Sequence, residues 1–162
     1  MPPDAQKRPG TMIYLIRHAD AVSDEEDPLR PLSARGREQV ARACEHLRKA
    51  AGFAPAEMWH SPLSRSRETA ELLAQGLGLH ARIILKKGLE PDDDPSAVAE
   101  ALASEKRSIA VVGHEPHLGI LASIMTRGPG HAAVFYHFHK AGVLALSRRD
   151  RRWRADWLLR AP

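Results

Sequence analysis

The sequence predicts a three-layer α/β/α sandwich with a mainly parallel central sheet and an antiparallel C-terminal hairpin. Continuous apolar runs stop abruptly at polar residues, as strands buried on both faces do, and amphipathic helical segments lie between them. In the last third the apolar positions alternate instead. Strands alternating with helices require a parallel sheet covered on both sides, and the final pair adds a hairpin.

Residues 12–16, Met-Ile-Tyr-Leu-Ile, form the first apolar run, which ends at Arg17-His18-Ala19-Asp20. Ser33 stands where an N-cap belongs, ahead of Val40, Ala43, Cys44 and Leu47 on one helical face, with a stop near Gly52. Residues 57–60 read as a short strand broken by Ser61-Pro62, and a second helix runs through Ala70, Leu73 and Leu77 to Gly76 and Gly78. Residues 81–85 are strand-like. After the loop that holds Glu90, Asp94 is the expected N-cap and Pro95 the first position of a helix carrying Val98 and Leu102. Residues 108–113 form another buried strand, handing over to His114 and a helix through Leu118, Leu121, Ile124 and Met125. Val134, Tyr136 and Phe138 then alternate, residues 142–147 are strand-like, and Trp153, Ala155, Trp157 and Leu159 alternate again, with Arg149-Asp150 as the turn.

With 162 residues the chain fits one domain, expected over residues 11–162 behind a flexible polar, Pro-rich tail at 1–10. Cys44 is the single cysteine, which excludes an intramolecular disulfide framework and a Cys-cluster zinc site, and places the protein by expectation in the cytoplasm. No apolar run approaches the ~20 residues that span a bilayer, so no membrane partner is expected. The formal charge of +4 favours anionic partners without choosing among them.

In open α/β sheets, ligands bind beyond the carboxyl ends of the strands, where loops and helix N-termini converge. Arg17-His18, Ser61-Pro62-Leu63-Ser64-Arg65 and Gly113-His114 all occupy such positions. They would set two guanidinium groups and two imidazoles around one pocket, a set suited to a tetrahedral dianion.

The segments Leu15-Ile16-Arg17-His18-Ala19-Asp20, Ser61-Pro62-Leu63-Ser64-Arg65-Ser66-Arg67-Glu68-Thr69-Ala70 and Val111-Val112-Gly113-His114-Glu115-Pro116 resemble the three motifs of the histidine phosphatase superfamily. The short chain, Arg30-Pro31-Leu32-Ser33 and Gly36 are most similar to its SixA-type phosphohistidine phosphatases. The resemblance runs from about Met12 to the C-terminal strands and implies a single histidine phosphatase domain with a covalent mechanism. His18 would be the nucleophile, Arg17 and Arg65 the phosphoryl clamps, His114 a further donor and Glu90, at a strand end ahead of Pro91, the candidate general acid. Ala19 stands where the superfamily's best-known motif has Gly, a change that removes no catalytic group.

The expected activity is therefore metal- and cofactor-independent removal of phosphate, with phosphohistidine of a signalling protein as substrate. A phosphatase of small phosphate esters and a non-catalytic phosphate- or nucleic-acid-binding module are the alternatives. The expected partner is a phosphorylated protein domain or a small phosphorylated substrate, with no specific nucleic acid.

Other signals read as structure. His114-Glu115-Pro116-His117 has histidines three apart and an interrupting proline, unlike a helical zinc-protease pair. His137 and His139 would share a strand face but lack a third metal ligand. Asp92 to Asp94 are explained by helix capping, and His60 and Arg67 by a satisfied histidine and a solvated helix charge. Arg30 is balanced between loop structure and rim contact. Arg148, Arg149, Arg151, Arg152 and Arg154 fall on the solvent side and turn of the last hairpin, where charge discourages edge aggregation. If functional, they would guide an acidic partner toward the pocket.

Overall fold

The computed structural model describes residues 10–50, 52–149 and 152–160. The expected tail, apart from Gly10, lies outside the described residues, as do Asp150 of the expected turn and Arg151, whereas Arg149 ends β5. In chain order the elements are β1 (Met12–Arg17), α1 (Ala34–Lys49), β2 (Glu57–His60), α2 (Ser64–Leu77), β3 (Arg82–Leu85), α3 (Ser96–Ala103), β4 (Ile109–Gly113), α4 (His117–Arg127), β5 (Val143–Arg149) and β6 (Arg152–Leu159).

The six strands form one sheet in the order β3-β2-β4-β1-β5-β6. β3, β2, β4 and β1 are parallel, while β5 runs antiparallel to β1 and β6 antiparallel to β5. Alternation along β1 divides the core. Tyr14 and Ile16 face α1 and α2, packing in one cluster with Val40, Cys44, Ala70 and Leu73. Ile13 and Leu15 face α3 and α4, in a second cluster with Val98, Leu102, Leu118 and Leu121. The predicted sandwich is thus observed, with β1 inside the sheet and helices on both sides. Among the described residues no helix is long and apolar enough to cross a membrane.

Local chemistry sets the element ends. Ser33 is the N-cap of α1, its Oγ accepting from Gly36 N at 3.0 Å. Gly78 closes α2 in the left-handed conformation, which its missing Cβ permits. At α3 the cap lies one residue later than expected, on Pro95, while Asp94 Oδ1 still accepts from Ser96 N at 2.9 Å. The loop carboxylate and the proline share the start of the helix, and the boundary moves accordingly.

Two expectations are corrected. Residues 128–142 are irregular and contain no strand, so the alternation of Val134, Tyr136 and Phe138 does not mark one. Only Phe138 of the three is buried, and Val134 and Phe135 are exposed, so no sheet face organises the segment. In β6 the pairing shifts between Ala145↔Trp157 and Leu146↔Ala155, which leaves Asp156 as an extra residue. One inserted residue reverses the facing of everything after it. Trp153 and Ala155 accordingly join the α3–α4 side, whereas Trp157 and Leu159 join the α1–α2 side.

The start of α1 is packed against the loop that follows β1. A Cβ on Gly36 would lie 2.0 Å from the carbonyl oxygen of Asp20. Gly36→Ala gains about 1 kcal/mol of helix propensity, but forcing backbone away from backbone costs about 1–3 kcal/mol. A net loss of stability is expected, read as a lower urea midpoint at unchanged slope. An unchanged or raised midpoint would contradict the packing described.

Candidate active site

The sheet register gathers the predicted residues. Arg17 pairs with Gly113 across β1 and β4, and His60 pairs with Val112 across β2 and β4. Three strands therefore end at one level, releasing His18, Ser61 and His114 side by side. His18 N donates to Gly113 O at 3.0 Å, and Arg17 N donates to Gly142 O at 3.1 Å. Ala141 N reaches the carbonyls of Arg17 at 3.0 Å and His18 at 3.3 Å. Ala19 N donates to Thr69 Oγ1 at 3.0 Å, so α2 also holds the residue after His18.

His18 is buried, and its Nδ1 lies 2.7 Å from Ala19 O. A carbonyl only accepts, so Nδ1 carries the proton and Nε2 keeps its lone pair. Burial lowers the imidazole pKa to about 4; the Ala19 carbonyl opposes this, and the charges of Arg65, Arg17 and Lys140 add to it. His18 is a neutral, oriented base at neutral pH.

The His114 ring lies 5.0 Å from the His18 ring, centroid to centroid. Burial first, then the neighbouring His18, Arg65, His117 and Arg17, lower its pKa to about 3. Its Nε2 is 2.6 Å from Ser61 Oγ, and its Nδ1 is buried without a partner among the described residues. Arg17 is in a similar position. Nη1 donates to Phe138 O at 2.8 Å, while the buried Nε has no acceptor. Two orphaned buried nitrogens next to an oriented imidazole suit an oxyanion that would satisfy them.

Arg65, in the first turn of α2, acts electrostatically on both histidines, and its own pKa is lowered by burial and by Arg30. Arg30, balanced in the sequence, therefore stands near Arg65. It has φ 47°, a rare conformation for a side-chain-bearing residue, and its Nε donates to Val22 O at 3.0 Å. Glu68 of α2 fixes this loop, its Oε2 accepting from Leu32 N at 2.6 Å.

The four predicted residues Arg17, His18, Arg65 and His114 are thus brought together. No hydrogen bond or ion pair among the described residues ties the Glu90 carboxylate to them: it is exposed, and it lies beyond residues 86–89 rather than at the end of β3. Its loop is held to α4 by His117 Nε2, which donates to Gly88 O at 2.7 Å. His60 is a satisfied histidine, with Nδ1 donating to Ser61 O at 2.8 Å, and Arg67 pairs on the surface with Glu71. Among the described residues no group of three His, Cys, Asp or Glu side chains gathers to hold a metal, around His137 and His139 or around Asp92 to Asp94.

Several positioning groups escaped the sequence reading. Ser66 Oγ accepts from Ser61 N at 3.0 Å and donates to Val112 O at 2.7 Å, tying α2 to the ends of β2 and β4. Lys140 Nζ meets Asp20 Oδ1 at 2.5 Å, and Asp20 Oδ2 accepts from Ser33 Oγ at 2.6 Å. Glu115 Oε1 accepts from Gly119 N at 3.0 Å, and burial raises its pKa. A motif reading quotes Ser66 and Glu115 without assigning them work, and Lys140 lies far from every motif.

A family model for the histidine phosphatase superfamily (branch 1) matches residues 13–90. An uncharacterised protein of Picosynechococcus sp. is 32% identical over 143 residues, with 83% of each chain covered. The chain belongs to the histidine phosphatase superfamily. The structure of the protein histidine phosphatase SixA complexed with tungstate matches this histidine phosphatase in fold at TM-score 0.81 and 20% identity, over 93% of this chain and 97% of that one. A mycobacterial glucosyl-3-phosphoglycerate phosphatase in complex with VO3 matches its fold at TM-score 0.69 and 20% identity, over 94% of this chain and all of that one (100%).

The lowered histidine values have a thermodynamic consequence. An unfolded imidazole titrates near 6.5, well above the folded values of about 4 and about 3. The unfolded state therefore binds more protons below about 6.5, and the stabilisation present above that pH is lost as pH falls toward the folded values. Denaturant midpoints should decline between pH 6.5 and about 4.5, before most carboxylates titrate, and decline less steeply in His18→Gln. Equal slopes in the two proteins would place the His18 pKa near that of a free imidazole.

Proposed function

We propose that this histidine phosphatase is a metal-independent phosphoric monoester hydrolase and phosphoramidase that acts through phosphohistidine at His18. Its substrate in this reading is the phosphohistidine of a cytoplasmic signalling protein. The observation that carries the proposal is the buried His18, with Nδ1–H committed to Ala19 O and Nε2 left as a nucleophile, beside the orphaned Arg17 Nε and His114 Nδ1.

In the first step the Nε2 lone pair attacks phosphorus, and the bond to the leaving group breaks with its electron pair. A phosphorylated imidazole already protonated on its other nitrogen leaves as neutral imidazole, whereas an alkoxide needs a proton as it departs. In the second step water attacks phosphorus, the P–N electrons return to Nε2, and inorganic phosphate leaves with the water proton passing to phosphate or solvent. Charge builds on the equatorial oxygens in both steps. Arg17, Arg65 and Arg30 would meet it as fixed cations, and His114 as a neutral donor from Nδ1 if Ser61 Oγ–H donates to Nε2. Glu90 would serve as acid for ester substrates. These guanidinium groups supply the charge neutralisation, so the reading assigns no step to a metal.

One further feature supports a macromolecular substrate, and another supports an oxyanion at the site. The chain between α2 and β4 is occupied by β3 and α3, with no insertion to close over a small molecule. The fold neighbours complexed with tungstate and VO3 hold oxyanions, as this site's donors would.

Brief incubation with phosphoramidate in EDTA, followed by alkaline quench, intact mass and peptide mapping, should give one phosphoryl adduct, on His18. No adduct together with no phosphate release would overturn the mechanism, and loss of turnover in EDTA would overturn metal independence. His18→Ala should abolish turnover while keeping a cooperative unfolding transition. Arg65→Ala should lower kcat/KM by roughly 10²–10³ through lost transition-state stabilisation. Glu90→Gln should slow phosphate esters more than phosphoramidate; equal effects would remove Glu90 as the acid. A kcat/KM for sugar phosphates exceeding that for phosphohistidine peptides by orders of magnitude would replace the protein substrate with a small ester.

A further inference from the structure

The arginine-rich hairpin lies away from the active site. Ser147 pairs with Met12, at the start of β1, and Arg148 N donates to Thr11 O at 3.3 Å, so the β5–β6 turn sits at the opposite end of the sheet from Arg17. The expectation that these arginines guide a partner to the pocket is thereby corrected: β5 and β6 carry Arg148, Arg152 and Arg154 at the other end of the sheet. Arg148 is also more than a solvent-facing charge. Its Nη2 donates to the carbonyls of Leu102 at 3.2 Å, Ala103 at 2.5 Å and Glu105 at 3.3 Å, closing the C-terminus of α3, and its guanidinium lies 4.6 Å from the Trp153 ring centroid.

At this far end, α3, the C-terminal turn of α4 and β6 enclose a cleft of about 540 Å³. Ala99, Ala103, Ile124, Met125 and Trp153 provide its apolar lining. Arg127, Arg148 and Arg152 stand around it against one carboxylate, Glu100. No acidic side chain of the described residues bonds any of these arginines, and Arg127 instead lies over Phe135, 4.7 Å from the ring centroid. None of the lining residues belongs to the phosphoryl site. The volume lies within the range of small-molecule pockets, which combine an apolar body with a few converging polar groups.

We propose that this cleft is a second binding site, for a small organic anion with an apolar or aromatic body: the body packs on Trp153 between α3 and α4, and the acidic group meets Arg127 and Arg152. Arg148 is already held by the helix carbonyls and presents a pre-placed charge, which reduces the ordering required on binding. The excess of cations over Glu100 selects an anion over a neutral molecule of the same shape. The site is independent of the catalytic reading and stands whether or not His18 is phosphorylated.

The test titrates the full chain with 1-anilinonaphthalene-8-sulfonate and with its uncharged relative N-phenyl-1-naphthylamine, following probe fluorescence. Saturable binding of one sulfonate per chain, tighter than that of the neutral probe and indifferent to inorganic phosphate, is expected. Arg127→Gln combined with Arg152→Gln should weaken the sulfonate roughly tenfold or more, as loss of charge-assisted hydrogen bonds does, and leave the neutral probe within about twofold. Ala103→Trp, at an exposed helix position, should fill the cleft and weaken both probes roughly tenfold while phosphatase turnover and the unfolding midpoint persist. Equal affinity for the two probes, displacement by phosphate, indifference to Ala103→Trp or absence of saturable binding would each overturn the proposal. Phosphohistidine formation at His18 is read separately, so failure here and failure of the catalytic reading are distinguishable.

Discussion

The joint between β1 and β4 carries the rest of the site. Their parallel register brings Arg17 level with Gly113, and the next backbone N–H, that of His18, is captured by the Gly113 carbonyl at 3.0 Å. Leaving the sheet at that point, the chain must turn, and its carbonyls are met by Ala141 N from the segment before β5. Thr69 then fixes Ala19, and Asp20 is held by Ser33 and Lys140. His18 is therefore held by backbone bonds from β4 and from the segment before β5, and its neighbours Ala19 and Asp20 by side-chain bonds from α2, the N-cap of α1 and Lys140. A site built on a sheet end loses little orientation to motion, which is the form of preorganisation that phosphoryl transfer uses.

Burial gives this geometry its chemistry. An exposed His18 beside two arginines would still be mostly neutral at pH 7, but it would be free to rotate and to choose its tautomer. Enclosure lowers its pKa to about 4, and the Ala19 carbonyl selects the proton on Nδ1. The same enclosure leaves Arg17 Nε and His114 Nδ1 without partners, an arrangement unfavourable to folding and favourable to a bound oxyanion. Stability and function are in opposition at this end of the sheet. The two core clusters on either side of β1 offset the difference, since they bury large apolar side chains of every helix.

Much of the fold was legible because its signals are local. Apolar runs at β1 and β4, the Ser33 cap and the Gly78 stop each depend on a few adjacent residues. The alternation at 134–138 misled because exposed apolar residues also occur in loops, and periodicity cannot tell whether a sheet lies beneath. The Asp156 bulge was hidden for a related reason: Trp153, Ala155, Trp157 and Leu159 keep their period while the strand beneath them gains a residue. The motifs located Arg17, His18, Arg65 and His114, yet Lys140 went unseen because its partner Asp20 is 120 residues away in sequence.

By itself the sequence determined that Arg17, His18, Arg65 and His114 stand at or just beyond the ends of strands, since residue type and hydrophobic period are properties of short segments. Tertiary structure alone decided that these strand ends coincide, that Arg30 comes near Arg65, and that Arg148, Arg152 and Arg154 lie at the other end of the sheet. Those outcomes depend on register and strand order, which come from packing among residues distant along the chain. A one-residue change in pairing, as in β6, alters them without altering the local pattern.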